Sequence, residues 1–198
     1  ELSTTTTEVA APPDAVQDRI GFVLNNMQAS NVAEQSAMLK EVLDSHQGCT
    51  QWFAQYLVVK RVSLEPNFHN LYGSMLLELQ MRPLNKAILA STLQTARVLL
   101  ASAKIRSSSS QRSLLKHLGS WLGHITLARN RALLMRDLDM SELICDAYER
   151  GLLIAVVPFV AKVLDACQNS RVFMPPNPWV MGVMSLLVEL YQVPDLKL

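Results

Sequence analysis

Between residues 52 and 79 two runs of apolar side chains at helical spacing meet at a proline, and that junction restricts the fold more than any other feature. Trp52, Phe53, Tyr56 and Leu57 form the first run; Phe68, Leu71, Tyr72, Met75, Leu76 and Leu79 form the second. Pro66 lacks the N–H a helix interior needs and its ring collides with the preceding turn, yet it suits the first turn of a new helix. The spacing therefore predicts a helical hairpin. Lys60, Arg61, Glu65, Phe68 and His69 gather at one end of it, which chain reversal alone does not require.

Helical spacing recurs along the rest of the chain. A helix is predicted over 15–28, with Val16, Ile20, Val23, Leu24 and Met27 on one stripe and Asp14 as N-cap. A second runs to about residue 45, where Asn31 and Glu34 have the spacing of a capping box, and Gly48 breaks the chain before Trp52. Pro83 opens a helix reaching about residue 103, with Leu84, Ile88, Val98 and Leu99 on its stripe. The serine tract 107–110 reads as a mobile loop. The helix over 111–128 carries Leu114, Leu115, Leu118, Trp121, Leu122 and Ile125. Gly119 and Gly123 on it leave a bare strip for a neighbouring helix, at about 1 kcal/mol of helix propensity each.

Arg129, Arg131 and Arg136 make the next link basic. Asp139 or Ser141 is placed to cap a helix whose Leu143, Ile144, Ala147 and Tyr148 face inward until Gly151 ends it. Residues 155–168 follow, with Pro158 expected in the first turn. Asn177 as N-cap and Pro178 as first helical residue then open a helix with Trp179, Val183, Met184, Leu187, Leu190 and Tyr191 on one stripe. Pro194 and Asp195 are placed to start another. About nine helices with short links predict an all-α α-solenoid of stacked antiparallel pairs. Residues 1–13, with their threonine tract at 4–7, read as a flexible lead-in, and 14–198 as a single helical domain.

Composition narrows the function classes. A chain of 198 residues, 49% hydrophobic and 18% charged, can bury a sizeable core or a string of small ones. A net charge of +1 leaves no basic footprint for nucleic acid, so direct RNA binding is expected to be weak or absent. Cys49, Cys145 and Cys167 are widely spaced and odd in number, which suits a reducing compartment rather than a disulfide framework. The longest apolar run, 151–161, is shorter than the roughly 20 residues that span a bilayer, so no membrane segment is expected.

Catalytic signatures are missing as well. There is no phosphate-binding glycine loop, zinc-hydrolase helix motif or serine nucleophile elbow. His117 and His124 lie seven apart, too far to chelate one ion as an i, i+4 pair does, and read as packing or surface histidines. Asp137 and Asp139 resemble paired carboxylates but fit a helix cap better. No catalytic residue, metal or cofactor is expected, and a binding module is favoured over an enzyme.

Three stretches carry a resemblance to a known family: Gln-Tyr-Leu-Val-Val-Lys-Arg-Val-Ser-Leu-Glu-Pro-Asn-Phe-His at 55–69, Arg-Ser-Leu-Leu-Lys-His-Leu-Gly-Ser-Trp-Leu-Gly at 112–123, and Pro-Pro-Asn-Pro-Trp-Val-Met at 175–181. Together they resemble the middle region of the Not scaffold subunit of the Ccr-Not mRNA deadenylase complex, over about 15–198. The resemblance implies a HEAT-like domain of the MIF-four-G type, with its last helix lacking here, and a non-catalytic scaffold in deadenylation, translational repression and mRNA decay. It implies two partners, a Caf/Pop-type deadenylase and a DEAD-box helicase of the decapping-activator type, with other Ccr-Not subunits bound through flanking regions. It points to Arg61, Glu65, Asn67, Phe68 and His69 as helicase contacts, and to Pro175, Pro176, Asn177, Pro178 and Met181 as deadenylase contacts. Arg61 otherwise reads as a solvated cation, Phe68 as the first rung of a core stripe and Trp179 as core. It further implies a cytoplasmic protein, with P-bodies and a nuclear pool as further locations. The alternative is a translation-initiation scaffold of the same fold that binds an initiation helicase, and RNA through Arg129, Arg131 and Arg136.

Overall fold

The computed structural model describes residues 9–46, 48–194 and 196. Every regular element among them is helical: α1 Asp14–Asn25, α2 Val32–Ser45, α3 Cys49–Tyr56, α4 His69–Leu79, α5 Arg82–Ala101, α6 Ser109–Ile125, α7 Met140–Arg150, α8 Leu153–Leu164 and α9 Pro178–Tyr191. The chain divides into two compact units, Glu1–Thr95 and Ala96–Leu198, and the division falls inside α5. In the first unit α2 packs against both α1 and α4. In the second, α8 packs against α6 and α7, and α9 lies on α7. This is the all-α class of paired helices that the sequence predicts.

Apolar stripes close each unit. Ile20, Leu39, Phe53, Leu57, Met75 and Leu79 are fully buried in the first, and Leu99, Ile105, Trp121 and Phe159 in the second. Each contributes about 1.5–3 kcal/mol by leaving water. Gly119 and Gly123 behave as the bare strip requires: a Cβ on Gly119 would sit 2.6 Å from the Phe159 carbonyl oxygen, and one on Gly123 2.5 Å from that of Val163. Only hydrogen at both positions lets α6 and α8 meet backbone to backbone.

Several local expectations are corrected. Asp14 is the first helical residue rather than the cap, because the Pro13 carbonyl already accepts from the amides of Val16 at 2.8 Å and Gln17 at 3.1 Å. Asn31 stands at the N-cap of α2 but makes no capping box. Its side chain turns back, accepting from the Gln28 amide at 2.7 Å and donating to the Asn26 carbonyl at 3.0 Å. The serine tract is the start of a helix, since Ser108 accepts from the Gln111 amide at 3.2 Å and Ser109 and Ser110 form the first turn of α6. Serine is among the better N-caps, and that preference outweighs low complexity here. Pro158 lies inside α8 rather than in its first turn, because α8 begins at Leu153, two residues after the left-handed Gly151. Tyr148 faces outward, 48% exposed. The threonine tract and Asp195 lie outside the described residues, while Pro194 sits in a turn. Gly48, at φ +81°, breaks the chain before α3 as expected.

Candidate partner-docking site

The corner between α3 and α4 is built from one distortion. After Tyr56 the helix widens into a π-helical segment, Leu57–Val62, closed by the Ser63 amide on the Val58 carbonyl at 3.1 Å. Such widening re-aims the side chains that follow it and is frequent at functional sites. The chain then turns through Ser63 and Leu64, and Pro66 opens a 3-10 turn, Pro66–Phe68, that leads into α4. His69 locks the two arms together. Its Nε2 lies 2.9 Å from the Val62 carbonyl oxygen, which only accepts, so this nitrogen carries the proton.

Arg61 is the hub of the corner. Its guanidinium donates to the Tyr56 hydroxyl at 3.3 Å, to Glu65 at 3.1 Å, and to the Asn25 side-chain oxygen on α1. It also lies 6.0 Å from the centre of the Tyr56 ring, which stacks on Trp52 at 5.1 Å. The other Glu65 oxygen accepts from the Tyr72 hydroxyl, and Tyr72 meets the Phe68 ring at 6.2 Å. Burial works against the Arg61 charge, but its bonds to Tyr56 and Glu65 outweigh that and hold the pKa above the ordinary value. Burial first, then the bond to Glu65, pushes the Tyr72 phenol well up. These groups are occupied with one another, and the exposed edge beside them suits recognition by contact.

The predicted helicase residues thus fall into two groups. Asn67 and Phe68 are exposed, Phe68 at 49%, so Phe68 is not the first rung of a core stripe. Leu64 beside them is 58% exposed. Arg61 and Glu65 pair with each other half-buried behind this edge, and His69 is buried. Sequence reasoning missed Asn25, Tyr56 and Tyr72 as parts of the network. Tyr56 and Tyr72 were visible only as stripe residues, and no spacing rule links Asn25 to a residue 36 positions away.

Of the predicted deadenylase residues, Pro175, Pro176, Pro178 and Met181 are exposed, and the bond between Pro175 and Pro176 is cis. Asn177 has a structural role: its oxygen accepts from the amides of Trp179 and Val180 at 3.0 and 3.2 Å, and its nitrogen donates to the Val172 carbonyl at 3.0 Å. Trp179 is half-buried, edge-on to Phe173 at 6.1 Å. Elsewhere Asp139 caps α7 by accepting from the amides of Ser141 and Glu142 at 2.9 and 3.1 Å, and His124 stacks on Trp121 at 5.8 Å. Among the described residues no cluster of His, Cys, Asp or Glu is grouped to hold a metal.

A family model described as the CCR4-NOT transcription complex subunit 1 CAF1-binding domain matches residues 8–198. The chain is 40% identical over 197 residues to the CCR4-NOT transcription complex subunit let-711 of Caenorhabditis elegans, covering 96% of this chain and 8% of that protein. It is 40% identical over 186 residues to the general negative regulator of transcription subunit 1 of Schizosaccharomyces pombe, covering 93% of this chain and 9% of the relative. The protein of the same name from Saccharomyces cerevisiae is 35% identical over 198 residues, 100% of this chain and 9% of its own length. The chain therefore spans less than a tenth of these relatives.

Proposed function

The chain belongs to the CCR4-NOT transcription complex subunit 1 CAF1-binding domain family, and from that membership we propose that it is a non-catalytic docking module for a Caf/Pop-type deadenylase. The single observation that carries the reading is the family match across 8–198. As a cytoplasmic scaffold the module acts by effective concentration, holding a nuclease near its mRNA substrate without chemistry of its own. Titration calorimetry against the deadenylase tests this, and absence of heat at micromolar concentrations would overturn it. Incubation with poly(A) and magnesium tests the non-catalytic part; shortening of the substrate by the chain alone would refute it.

The reading extends to a second partner at the corner. Asn67 and Phe68 are exposed on an edge that the Arg61–Glu65 pair and His69 hold rigid, and large aromatics are common interface hot spots. The partner proposed is a DEAD-box helicase of the decapping-activator type. Calorimetry against its two-lobe core, with the initiation helicase as comparator, decides the matter. Preference for the initiation helicase would revive the initiation-scaffold reading. The deadenylase is proposed to meet the exposed prolines and Met181 at the start of α9, where Met181→Glu should weaken it.

A further inference from the structure

An edge of the second unit, beside the start of α9, combines cations with apolar side chains. Segments 129–137 and 170–174 together hold Arg129, Arg131, Arg136 and Arg171 against Asp137 alone, in a chain whose net charge is only +1. Asn130, in the left-handed region at φ +57°, ties the two segments together. Its Oδ1 accepts from the Ser170 hydroxyl at 3.0 Å and from the amides of Arg171 and Val172 at 2.8 and 3.1 Å. Arg131 and Arg171 are thereby held next to the same side chain.

Both segments are fixed at their far ends as well. Arg97 donates to the Asp137 carbonyl, while the Asn177 side chain holds Val172 and its amide bonds the Met174 carbonyl at 2.8 Å. Met135 is 71% exposed, Val172 51%, Met174 50% and Leu134 41%. Burial and the charge of Arg131 both push the pKa of Arg129 down, the mark of cations gathered at one place. Neither Arg131 nor Arg171 is ion-paired among the described residues. Asn130 thus brings the backbone at 131 and 171 to one point, and the loops that carry these cations and exposed apolar side chains are fixed by hydrogen bonds.

We propose that this edge, locked by Asn130 and Asn177, docks an acidic peptide segment of a partner protein carrying a Leu, Met or Phe anchor. Carboxylates complement the arginines, and methionine adapts to a large apolar side chain. Single-stranded RNA fits less well, because base stacking needs exposed rings, and here Phe173 is buried and Trp179 half-buried. Ordered loops also lower the entropy lost on binding.

The test pans a phage-displayed random peptide library on the whole chain and then measures an enriched peptide, synthesised with a fluorophore, by anisotropy. Enrichment of Asp and Glu around Leu, Met or Phe is the expected result. Arg131→Glu with Arg171→Glu should then weaken the peptide about tenfold, and Met135→Ser with Met174→Ser about fivefold. Both variants should keep the parent helicity and melting temperature. Lys86→Glu, on α5, should bind as the parent does. No acidic enrichment, an enriched peptide indifferent to both double variants, or an oligouridine RNA bound through the same arginines in place of peptide would overturn the proposal.

Discussion

The corner at 56–72 and the outer face of α9 are both exposed surfaces, but they are exposed in opposite ways. At the corner almost every polar group has a partner within the chain: Arg61 with Asn25, Tyr56 and Glu65, and Glu65 with Tyr72. What remains outside is small, chiefly Leu64, Asn67 and Phe68. On α9 only Val180 and Val183 are buried, while Met181, Met184, Val188 and Tyr191 are exposed, Tyr191 at 88%. The first surface is a preformed contact whose geometry the chain fixes by itself. The second is an apolar helix face lacking a cover among the described residues.

The largest expected effect concerns the packing beneath the α9 side. α9 lies on α7, which packs on α8, and α8 meets α6 at Gly119 and Gly123. A valine at Gly123 would force its Cβ against the Val163 backbone, so Gly123→Val should lower unfolding free energy by at least about 3 kcal/mol in urea titrations. A loss below 1 kcal/mol would mean that α6 and α8 part easily, and that the α9 face has no rigid support.

Next comes the corner network. Glu65→Ala leaves Arg61 and Tyr72 facing a vacated site. With side chains 17% and 29% exposed in the Arg61–Glu65 pair, solvent screening reduces the expected loss to about 1–2 kcal/mol. The same network has a pH signature. The Tyr72 phenol is pushed above its ordinary 10.0 by burial and Glu65, so the folded state keeps its proton when the unfolded state begins to lose it. Its contribution is complete below pH 10 and falls as pH rises further, by at most about 1.4 kcal/mol per pH unit. In Tyr72→Phe that part of the alkaline decline should vanish when melting curves are compared across pH 9 to about 12. Identical declines would remove Tyr72 from the network.

Much of this contrast was legible in the chain, and the exceptions share a cause. Helix stripes, the Gly48 and Gly151 breaks, the Asn177–Pro178 start and the Gly119–Gly123 strip follow from rules acting within one or two helical turns. The π-helical widening after Tyr56 does not, because α and π helices use the same residue types and differ only by one shifted hydrogen bond. Asn31 and Ser108 show how near neighbours redirect a polar side chain: both stand at N-cap positions, and only Ser108 caps. The orientation of Phe68 required knowing that Pro66–Phe68 is a 3-10 turn, which shifts the stripe by part of a residue step and leaves His69, not Phe68, facing inward.

Phe68 sharpens the comparison at the level of binding. Since nearly half of it is exposed and its ring only tilts against Tyr72, Phe68→Ala should change stability by less than about 1 kcal/mol. Helicase affinity should nevertheless fall tenfold or more in calorimetry, because a central aromatic commonly carries over 1 kcal/mol of binding free energy. Equal affinity would remove the corner as the proposed helicase contact while leaving the network intact.

The smallest expected effect on stability belongs to α9 and has the opposite logic. Met184→Glu with Tyr191→Glu replaces exposed apolar groups by charges, so the free energy of unfolding of this chain should change by no more than about 0.5 kcal/mol. Self-association should be reduced in the variant, since contiguous exposed apolar surface is what drives one copy against another. Sedimentation at increasing concentration reads this directly. If the variant associates as strongly as the parent, the exposed side chains of α9 play no part in bringing copies together.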